Sequence, residues 1–454
     1  MTKIILILIT VLSSFLVMGQ EISGKWNGAL KVQGTQLRIS FNVTPTENGY
    51  KATMDSPDQK VTGIPLEKAA FENSVLKLEM PSAQISYLGT LNKDNIIVGT
   101  FTQGGQSFEM NLSKEVIQKQ VYARPQEPQK PFPYYTEDVK FENKTDHVTL
   151  AGTLSLPKKE GNFPAVVLIT GSGKQNRDEE ILRHKPFLVL SDYLTKKGIA
   201  VLRFDDRGAG ESTGDYTKAS TIDLARDVQA GVDYLKTRKE INKTKIGLIG
   251  HSEGGVIAPI IAANSKDIDF IVLLAAPGLR GDKLLLLQKE VLERQFGVPE
   301  NDIQKGQEIF KGGYEIILAS SANDEKLKNN LSNYTQSKFD DKTAKSFVDQ
   351  ITNVWWYNFL RLDPAIALAK VKCPVLALNG SKDLQVPAAV NLETIKNALI
   401  KAENKNVTIK EIPGLNHLFQ ECKTGSPMEY DTIEQTFSPI ALEEISSWMI
   451  LQTK

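Results

Sequence analysis

The sequence predicts an α/β protein in which a mostly parallel sheet flanked by helices carries a helical cap, preceded by a small antiparallel, barrel-like β domain. Three observations support this prediction. Short alternating runs of polar and apolar residues occur in residues 20–120, continuous apolar runs separated by amphipathic segments occur in residues 136–454, and a 96-residue insertion at 278–373 interrupts the second pattern. Alternating runs are typical of antiparallel strands, and continuous runs are typical of parallel strands buried on both faces.

The length and composition fit a soluble globular protein. The chain has 454 residues, 54 of them Lys or Arg and 54 Asp or Glu, and 41% of its residues are apolar. Zero net charge leaves no positive field for a polyanion, so nucleic acid is not an expected partner. Two cysteines and four histidines without ligand-like spacing predict no disulfide framework, no metal site and no cofactor.

The first residues resemble a signal peptide. Lys3 precedes an apolar stretch at 4–18, and the small-residue pattern Val17-Met18-Gly19 suits a cleavage site. The alternative is a membrane anchor, but the 15-residue stretch is shorter than the ~20 residues that cross a bilayer. We therefore expect a signal peptide at 1–19, export to the periplasm or the medium, and no stable membrane anchor.

The next segment predicts the β domain and its boundary. Alternating runs at 37–43, 75–80 and 95–101 are separated by turn residues, which indicates antiparallel strands at 20–120. Four prolines follow in the ten residues 124–133. Prolines fix φ and remove backbone donors, so we expect an extended linker at 121–135.

Residues 136–454 carry the pattern of the predicted parallel sheet. The buried runs lie at 165–169, 199–204, 246–249, 270–274 and 375–378, and the amphipathic segments at 186–197, 219–239, 256–264 and 439–451. The long insertion has runs of helical spacing at 284–296, 302–318 and 343–362. We therefore expect a helical cap at about 279–365.

A candidate nucleophile follows one of these strands. Gly250-His251-Ser252-Glu253-Gly254 matches G-x-S-x-G, between a strand-like run and a helix-like segment. That context is what a serine on a sharp strand-to-helix turn requires, and a Cβ at either glycine would clash. The pattern predicts Ser252 as a nucleophile, the alternative being a simple glycine-rich turn.

Two later loops supply partners for a serine. A hydroxyl needs a base to take its proton and a third group to orient that base. Asp383 follows the run at 375–378, and His417 follows the run at 407–412. The order Ser, Asp, His along the chain is that of an α/β-hydrolase, so Ser252, Asp383 and His417 are the predicted catalytic residues.

Acyl transfer also needs backbone donors for the oxyanion. The residue after the nucleophile usually provides one, which here is the N–H of Glu253. The loop Thr170-Gly171-Ser172-Gly173 follows the strand at 165–169 and should provide the second. We assign the N–H of Ser172, with Gly173 as the alternative.

The glycine-rich segment 205–214 needs a separate test. It follows a strand but does not match the G-x-G-x-x-G dinucleotide pattern, because Thr213 replaces the third glycine. We interpret Asp206-Arg207-Gly208 as a structural turn.

Eight segments carry a family resemblance: RPQEPQKPFPYY, GSGKQNRDEE, HKPFLVLSDYL, RFDDRGAGESTG, GHSEGG, FLRLDP, GSKDLQVP and GLNH. Over about residues 122–454 they resemble bacterial α/β-hydrolases of the EstD esterase type, within the broader serine aminopeptidase-like hydrolase family. The resemblance implies the same three catalytic residues and a carboxylic ester hydrolase activity.

Three functions compete at this point. The first is a serine esterase that cleaves small ester substrates with short to medium acyl groups. The second is a serine peptidase or aminopeptidase acting on short peptides, and the third is a non-catalytic ligand-binding protein. Fold alone does not choose among them. The sequence does not predict an oligomeric state.

Overall fold

The structure, a computed structural model, describes residues 22–32, 35–104, 106–119 and 121–454. The signal peptide expected at 1–19 lies outside the described residues. The chain divides into two compact units, Met1–Val121 and Tyr122–Lys454. Within the described ranges, no helix has the length and apolar character needed to cross a membrane.

The described part of the first unit consists of two antiparallel sheets. The strands are β1 (Gly24–Val32), β2 (Thr35–Thr46), β3 (Gly49–Ser56), β4 (Val61–Pro65), β5 (Lys68–Glu72), β6 (Val75–Met80), β7 (Ile85–Leu91), β8 (Ile97–Gln103) and β9 (Gln106–Glu109). The sheet orders are β1-β2-β3-β4 and β5-β6-β7-β8-β9. Short 3-10 helices lie at Pro57–Gln59 and Pro81–Ala83.

One backbone segment joins the two sheets of the first unit. Ser113 exchanges two hydrogen bonds with Asn27 of β1, and Leu112 exchanges two with Ile97 of β8. The inward-facing side chains form one apolar core, in which the Trp26 ring is buried and its Nε1 donates to the carbonyl of Ile22 at 2.6 Å. The alternating runs of the sequence are therefore antiparallel strands, as predicted.

The second unit, described throughout, is built on an eight-stranded sheet. Its strands are β10 (Tyr135–Asn143), β11 (Val148–Leu156), β12 (Phe163–Ile169), β13 (Ala200–Phe204), β14 (Ile241–His251), β15 (Phe270–Leu274), β16 (Val375–Gly380) and β17 (Val407–Ile412). The order is β10-β11-β13-β12-β14-β15-β16-β17. β10, β11 and β13 pair antiparallel, and the strands from β13 to β17 pair parallel.

Helices cover both faces of this sheet and form the cap. They are α1 (Pro186–Lys196), α2 (Thr221–Thr237), α3 (Gly254–Ala262), α4 (Gly281–Gln295), α5 (Glu300–Ala319), α6 (Glu325–Thr335), α7 (Asp341–Ile351), α8 (Val354–Phe359), α9 (Pro364–Leu368), α10 (Ala388–Lys401) and α11 (Pro439–Thr453). Two more 3-10 helices are Tyr216–Lys218 and Pro427–Thr432.

The parallel strands are buried on both faces because a helical layer packs on each. Side chains of β12 alternate between two cores: Val167 packs with helices α2, α3 and α10, and Val166 and Leu168 pack with α1 and α11. This explains why the strands appear in the sequence as continuous apolar runs. The predicted fold class is confirmed.

The cap, α4 to α9 between β15 and β16, differs from the prediction in two places. The run at 343–362 is two helices, because the Asn353 side chain accepts from the N–H of Trp356 at 2.8 Å and begins α8 there. Helix α6 was not predicted. Its buried apolar residues, Leu327 and Leu331, are too few to give a clear helical pattern.

The start of the second unit also differs from the sequence expectations. The hairpin β10–β11, which pairs antiparallel at the edge of the sheet, was not predicted. Residues of the expected linker are bound to this unit: the Arg124 guanidinium donates to the carbonyls of Asp431 at 2.8 Å and Ile433 at 2.9 Å. The Gln126 side chain accepts from the N–H of Thr436 at 2.6 Å.

Candidate active site

The strand-to-helix turn at Ser252 is as tight as the sequence predicts. β14 ends at His251, Ser252 has φ +52°, and α3 begins at Gly254. A Cβ at Gly250 would lie 2.0 Å from the carbonyl oxygen of Gly254, and one at Gly254 would lie 2.2 Å from that of Ile169. Real Cβ atoms do not approach so closely, so both positions require glycine, and the strain at Ser252 holds its hydroxyl above the sheet edge.

Asp383 and His417 are brought together by the loops after β16 and β17. His417 Nδ1 lies 2.8 Å from Asp383 Oδ2. The other carboxylate oxygen, Oδ1, accepts the N–H groups of Gln385 at 2.9 Å and Val386 at 2.8 Å. A carboxylate only accepts, so Nδ1 of His417 is the donor in this hydrogen bond, and in the neutral ring Nε2 therefore presents a lone pair.

The sequence-predicted residues converge on one cavity. Ser252, His417, Glu253 and Ser172 all line a cavity of about 580 Å³ at the carboxyl edge of the sheet. Asp383 lies behind His417, with its side chain fully buried. Residues from four loops, more than 240 positions apart at the extremes, thus share one site.

Of the three backbone donors at Gly171, Ser172 and Gly173 after β12, one is available. The N–H of Gly171 donates to Glu179 Oε1 at 2.7 Å, and the N–H of Gly173 donates to the Tyr216 hydroxyl at 2.9 Å. Within the described part of the chain, the N–H groups of Ser172 and Glu253 donate to no protein acceptor. Gly173 is therefore occupied, and Ser172 is the better of the two predicted donors.

A buried ion pair, His251–Glu179, contacts the backbone of His417 and was not predicted from the sequence. His251 Nδ1 lies 2.8 Å from Glu179 Oε1, and His251 Nε2 lies 2.9 Å from the carbonyl oxygen of His417. Burial lowers the pKa of His251, but the Glu179 carboxylate outweighs it and the net pKa is raised. Both ring nitrogens face acceptors, which only the doubly protonated ring satisfies.

Asp206 fixes the two ends of the loop that carries Ser172. Its Oδ1 accepts from the Thr170 hydroxyl and its Oδ2 from the N–H of Gln175, both at 2.8 Å. Burial raises the pKa of Asp206 to about 8, despite these donors. The following residue, Arg207, pairs with Asp227 at 2.7 Å and Asp146 at 2.8 Å. The predicted structural turn is therefore also a support of the candidate oxyanion loop.

The Glu253 side chain makes a second, unpredicted set of contacts. It is 1% exposed, and its carboxylate accepts from the Thr221 hydroxyl at 2.6 Å and from Trp355 Nε1 at 2.9 Å to each oxygen. Burial raises the pKa of Glu253, while hydrogen bonds from Thr221, Trp355 and Ser172 oppose the rise. No signal in the sequence connects Trp355 with Glu253, because 102 positions separate them.

The cap supplies most of the apolar wall of the cavity. Trp355 and Phe359 of α8 stack with ring centroids 4.6 Å apart. The apolar lining residues of the cap are Leu284, Leu285, Leu292, Phe310, Tyr314, Trp355, Trp356 and Phe359. The one lysine in the lining, Lys289, is bound by both carboxylate oxygens of Glu293, at 2.5 and 2.6 Å. An extended apolar group therefore has room beside Ser252.

The described residues contain no group of three or more His, Cys, Asp or Glu side chains placed to hold a metal ion. The donors around the cavity are already assigned to protein partners: Glu179 to His251, Asp383 to His417, and Glu253 to Thr221 and Trp355.

Comparisons with known proteins identify a family and several similar proteins. The family profile described as "Serine aminopeptidase, S33" matches residues 185–421, more than half of the chain. The chain is 26% identical over 443 residues to the esterase EstD of Thermotoga maritima, covering 96% of this chain and 94% of that protein. It is 25% identical over 215 residues to an AB hydrolase superfamily protein of Bacillus subtilis, covering 45% of this chain and 72% of that protein. A solved esterase of Pyrococcus furiosus aligns with a TM-score of 0.45 and 17% identity, over 74% of this chain and 100% of that chain.

Proposed function

The chain belongs to the serine aminopeptidase S33 family, and from this premise we propose that it is a serine hydrolase that cleaves carboxylic esters. The fold is that of an α/β-hydrolase, as the sequence resemblance predicts. The observation that carries the proposal is that His417, hydrogen-bonded to the buried Asp383, lines the same cavity as Ser252 on its strained turn. The relative from Thermotoga maritima, similar over 96% of this chain, is named an esterase.

In the proposed mechanism Ser252 is the nucleophile and His417 the general base. The lone pair on His417 Nε2 takes the hydroxyl proton as Ser252 Oγ attacks the ester carbonyl, and the same proton then goes to the leaving alkoxide. Asp383 keeps the proton of the ring on Nδ1 and stabilises the imidazolium. Water, activated by His417, hydrolyses the acyl-enzyme and releases the carboxylic acid.

The oxyanion of each tetrahedral intermediate is assigned to two backbone donors, the N–H groups of Glu253 and Ser172. Both line the cavity, and neither is used by a protein acceptor in the described chain. Removing one such donor typically costs about 3–4 kcal/mol at the transition state. Asp206 supports the assignment because it holds both ends of the loop that carries Ser172.

The cavity favours an apolar acyl group. Burial contributes ~0.8 kcal/mol per CH₂, and the cap provides aromatic and leucine side chains along the wall. A cavity of about 580 Å³ accommodates an acyl chain of several carbons together with the alcohol part. We therefore propose short to medium acyl esters as the substrate class.

The peptidase alternative needs a site for the free amine of an aminoacyl substrate. Two carboxylates line the cavity, Glu253 and Glu179. Glu253 is buried and engaged with Thr221 and Trp355, and Glu179 is paired with His251. Recognition of an ammonium group would require one of these contacts to break. We therefore expect esters to be preferred over aminoacyl anilides by at least ~100-fold in kcat/KM, or about 2.7 kcal/mol.

We also propose that the protein is exported, on the basis of the signal-like residues 1–19. Cell fractionation of the producing organism and sequencing of the mature N-terminus test this. An intact Met1 on protein from the cytoplasm would contradict it.

The decisive experiment is labelling and turnover of the Ser252→Ala variant. The purified wild-type protein should react with a fluorophosphonate probe and hydrolyse p-nitrophenyl acetate, butyrate and octanoate. Ser252→Ala should lose labelling and several orders of magnitude in kcat. Ser447→Ala, an exposed serine on α11, is the matched control and should keep both.

Other outcomes would change the assignment. Failure of the wild-type protein to react with the probe would favour the non-catalytic ligand-binding alternative. Comparable kcat/KM on a leucine or proline anilide would favour the peptidase.

A further inference from the structure

The carboxylate of Glu253 connects three separate parts of the second unit. Thr221 begins α2, Trp355 lies on α8 of the cap, and Ser172 lies on the candidate oxyanion loop. Thr221 and Trp355 donate to this one carboxylate, and the Ser172 side chain interacts with it from the loop. Among the described residues it has no cationic partner, so neutral donors alone satisfy it.

Such an arrangement lowers the stability of the fold, which suggests that its geometry serves the function of the site. A buried carboxylate without a cation is expensive, and an apolar side chain of similar volume would pack at lower cost. The backbone N–H of Glu253 is one assigned oxyanion donor, and Ser172 carries the other. The carboxylate thus touches both loops that must be in register for the oxyanion to be bound.

The cap end of this connection is coupled to helix α4. Trp355 stacks on Phe359 at 4.6 Å with an interplanar angle of 15°. The carbonyl of Phe359 packs so closely on Gly281, at the start of α4, that a Cβ there would lie 1.9 Å from it. The α8 helix therefore cannot shift alone, and movement of its tryptophan acts on Glu253.

We propose that Glu253 is a positioning residue whose carboxylate ties the cap tryptophan Trp355 to both oxyanion donors, so that contact between acyl group and cap tunes kcat. The proposal rests on the proposed esterase function and adds a specificity element to it. Trp355 and Phe359 face the cavity. Acyl chains long enough to pack against them hold α8 and α4 together against the site, whereas shorter chains do not reach these helices.

The consequence is a particular dependence of the kinetics on chain length. If the cap only supplied apolar surface, a longer acyl chain would change KM and leave kcat constant, because ground state and transition state would bind it equally. With the connection through Glu253, kcat itself rises from acetate to butyrate to octanoate.

The test removes the indole N–H from Trp355 and keeps an aromatic ring. Trp355→Phe should lower kcat on p-nitrophenyl octanoate by about 10- to 100-fold, somewhat less than loss of a whole oxyanion donor, with KM changed less than about threefold. Active sites are counted with the fluorophosphonate probe, so that kcat refers to folded enzyme. Trp448→Phe is the matched control, because Trp448 Nε1 donates to Thr408 at 3.1 Å away from the cavity.

A double-mutant cycle separates positioning from a general loss of packing. Glu253→Gln keeps the size of the side chain but replaces one acceptor oxygen with a donor. Because both variants break the same connection, Trp355→Phe/Glu253→Gln should be little worse than the poorer single variant. If Glu253→Gln does not fold, the chain-length series on Trp355→Phe decides alone, and its kcat should no longer rise with acyl length.

The outcomes distinguish this proposal from the proposed function. An active wild-type enzyme in which Trp355→Phe matches Trp448→Phe in kcat per active site would overturn the role of Glu253 and leave the esterase standing. Multiplicative losses in the double variant would do the same. A wild-type protein that hydrolyses no ester would overturn both.

Discussion

Replacing Glu179 with glutamine tests the buried ion pair below the candidate active site. Glu179 and His251 have side chains 2% and 7% exposed, and His251 in turn donates to the carbonyl of His417. Glutamine keeps an oxygen that accepts the N–H of Gly171 and can face His251 Nδ1, but it removes the negative charge. The substitution therefore isolates the charge from the shape.

The expected loss of stability depends on pH, and its sign follows from the pKa of His251. In the wild-type protein this pKa is raised in the folded state, so the pair contributes fully below the unfolded pKa of ~6.5, and the contribution is lost as pH rises through the folded value. In Glu179→Gln, burial is opposed only by the His417 carbonyl and the more distant Asp383 charge, so charging the ring favours folding far less than in the wild-type protein. We expect a loss of about 3–5 kcal/mol near pH 6, as for a broken buried pair.

Above the raised pKa of His251, the ring is neutral in both proteins. The difference then reduces to one altered hydrogen bond, worth about 1 kcal/mol. Typical domains are stable by about 5–15 kcal/mol, so the loss of about 3–5 kcal/mol expected near pH 6 is easily measured.

The assay is urea unfolding of wild-type and variant protein at pH 6 and pH 9, compared as differences so that other titrating groups cancel. Glu300→Gln is the matched control. It removes a carboxylate from an exposed ion pair with Arg294, and its effect should be small and equal at both pH values. A loss in Glu179→Gln that is equal at both pH values, or larger at pH 9, would refute the assignment of a charged His251.

Two substitutions and two truncations test the site and the division of the chain. Asp383→Asn should lower kcat by about 10⁴-fold while the fold is kept, because the amide favours the wrong tautomer of His417; a loss below tenfold in steady-state assays would argue against the triad. Gly254→Ala places a Cβ 2.2 Å from the carbonyl of Ile169, so we expect insoluble or inactive protein, and a soluble, active variant would contradict the described turn. Residues 122–454 alone should fold and hydrolyse esters. A chain starting at 136 should be less stable in thermal melts because it lacks the Arg124 contacts, and equal melting temperatures would contradict this.

The predictable part of this molecule is the part that backbone sterics and strand order determine. Gly250 and Gly254 carry their own signal, since no other residue fits the turn. The loops after successive parallel strands meet at one edge of the sheet, so Asp383 and His417 could be expected near Ser252 from their position in the chain alone. These inferences need only local geometry and topology.

The missed part consists of side chains whose roles depend on distant partners. Glu179 and Asp206 lie in polar stretches, and an acidic residue in such a stretch is normally solvent-exposed. Here Glu179 pairs with His251, 72 positions away, and Asp206 accepts the N–H of Gln175, 31 positions away. Nothing in either stretch distinguishes such a carboxylate from a solvated one.

Glu253 shows why the side chains that tune activity are the ones that the sequence does not predict. Its position after Ser252 fixes the direction of its backbone N–H, and the motif predicts that donor without reference to the rest of the chain. The side chain of the same residue is directed by what lies above it, and Trp355 reaches it because α8 is a separate helix that begins at Val354, capped by Asn353. The predicted single helix at 343–362 would have placed the tryptophan differently. Chemistry common to the fold is thus encoded in short motifs, whereas the control of that chemistry depends on how the inserted cap packs, which only the three-dimensional structure provides.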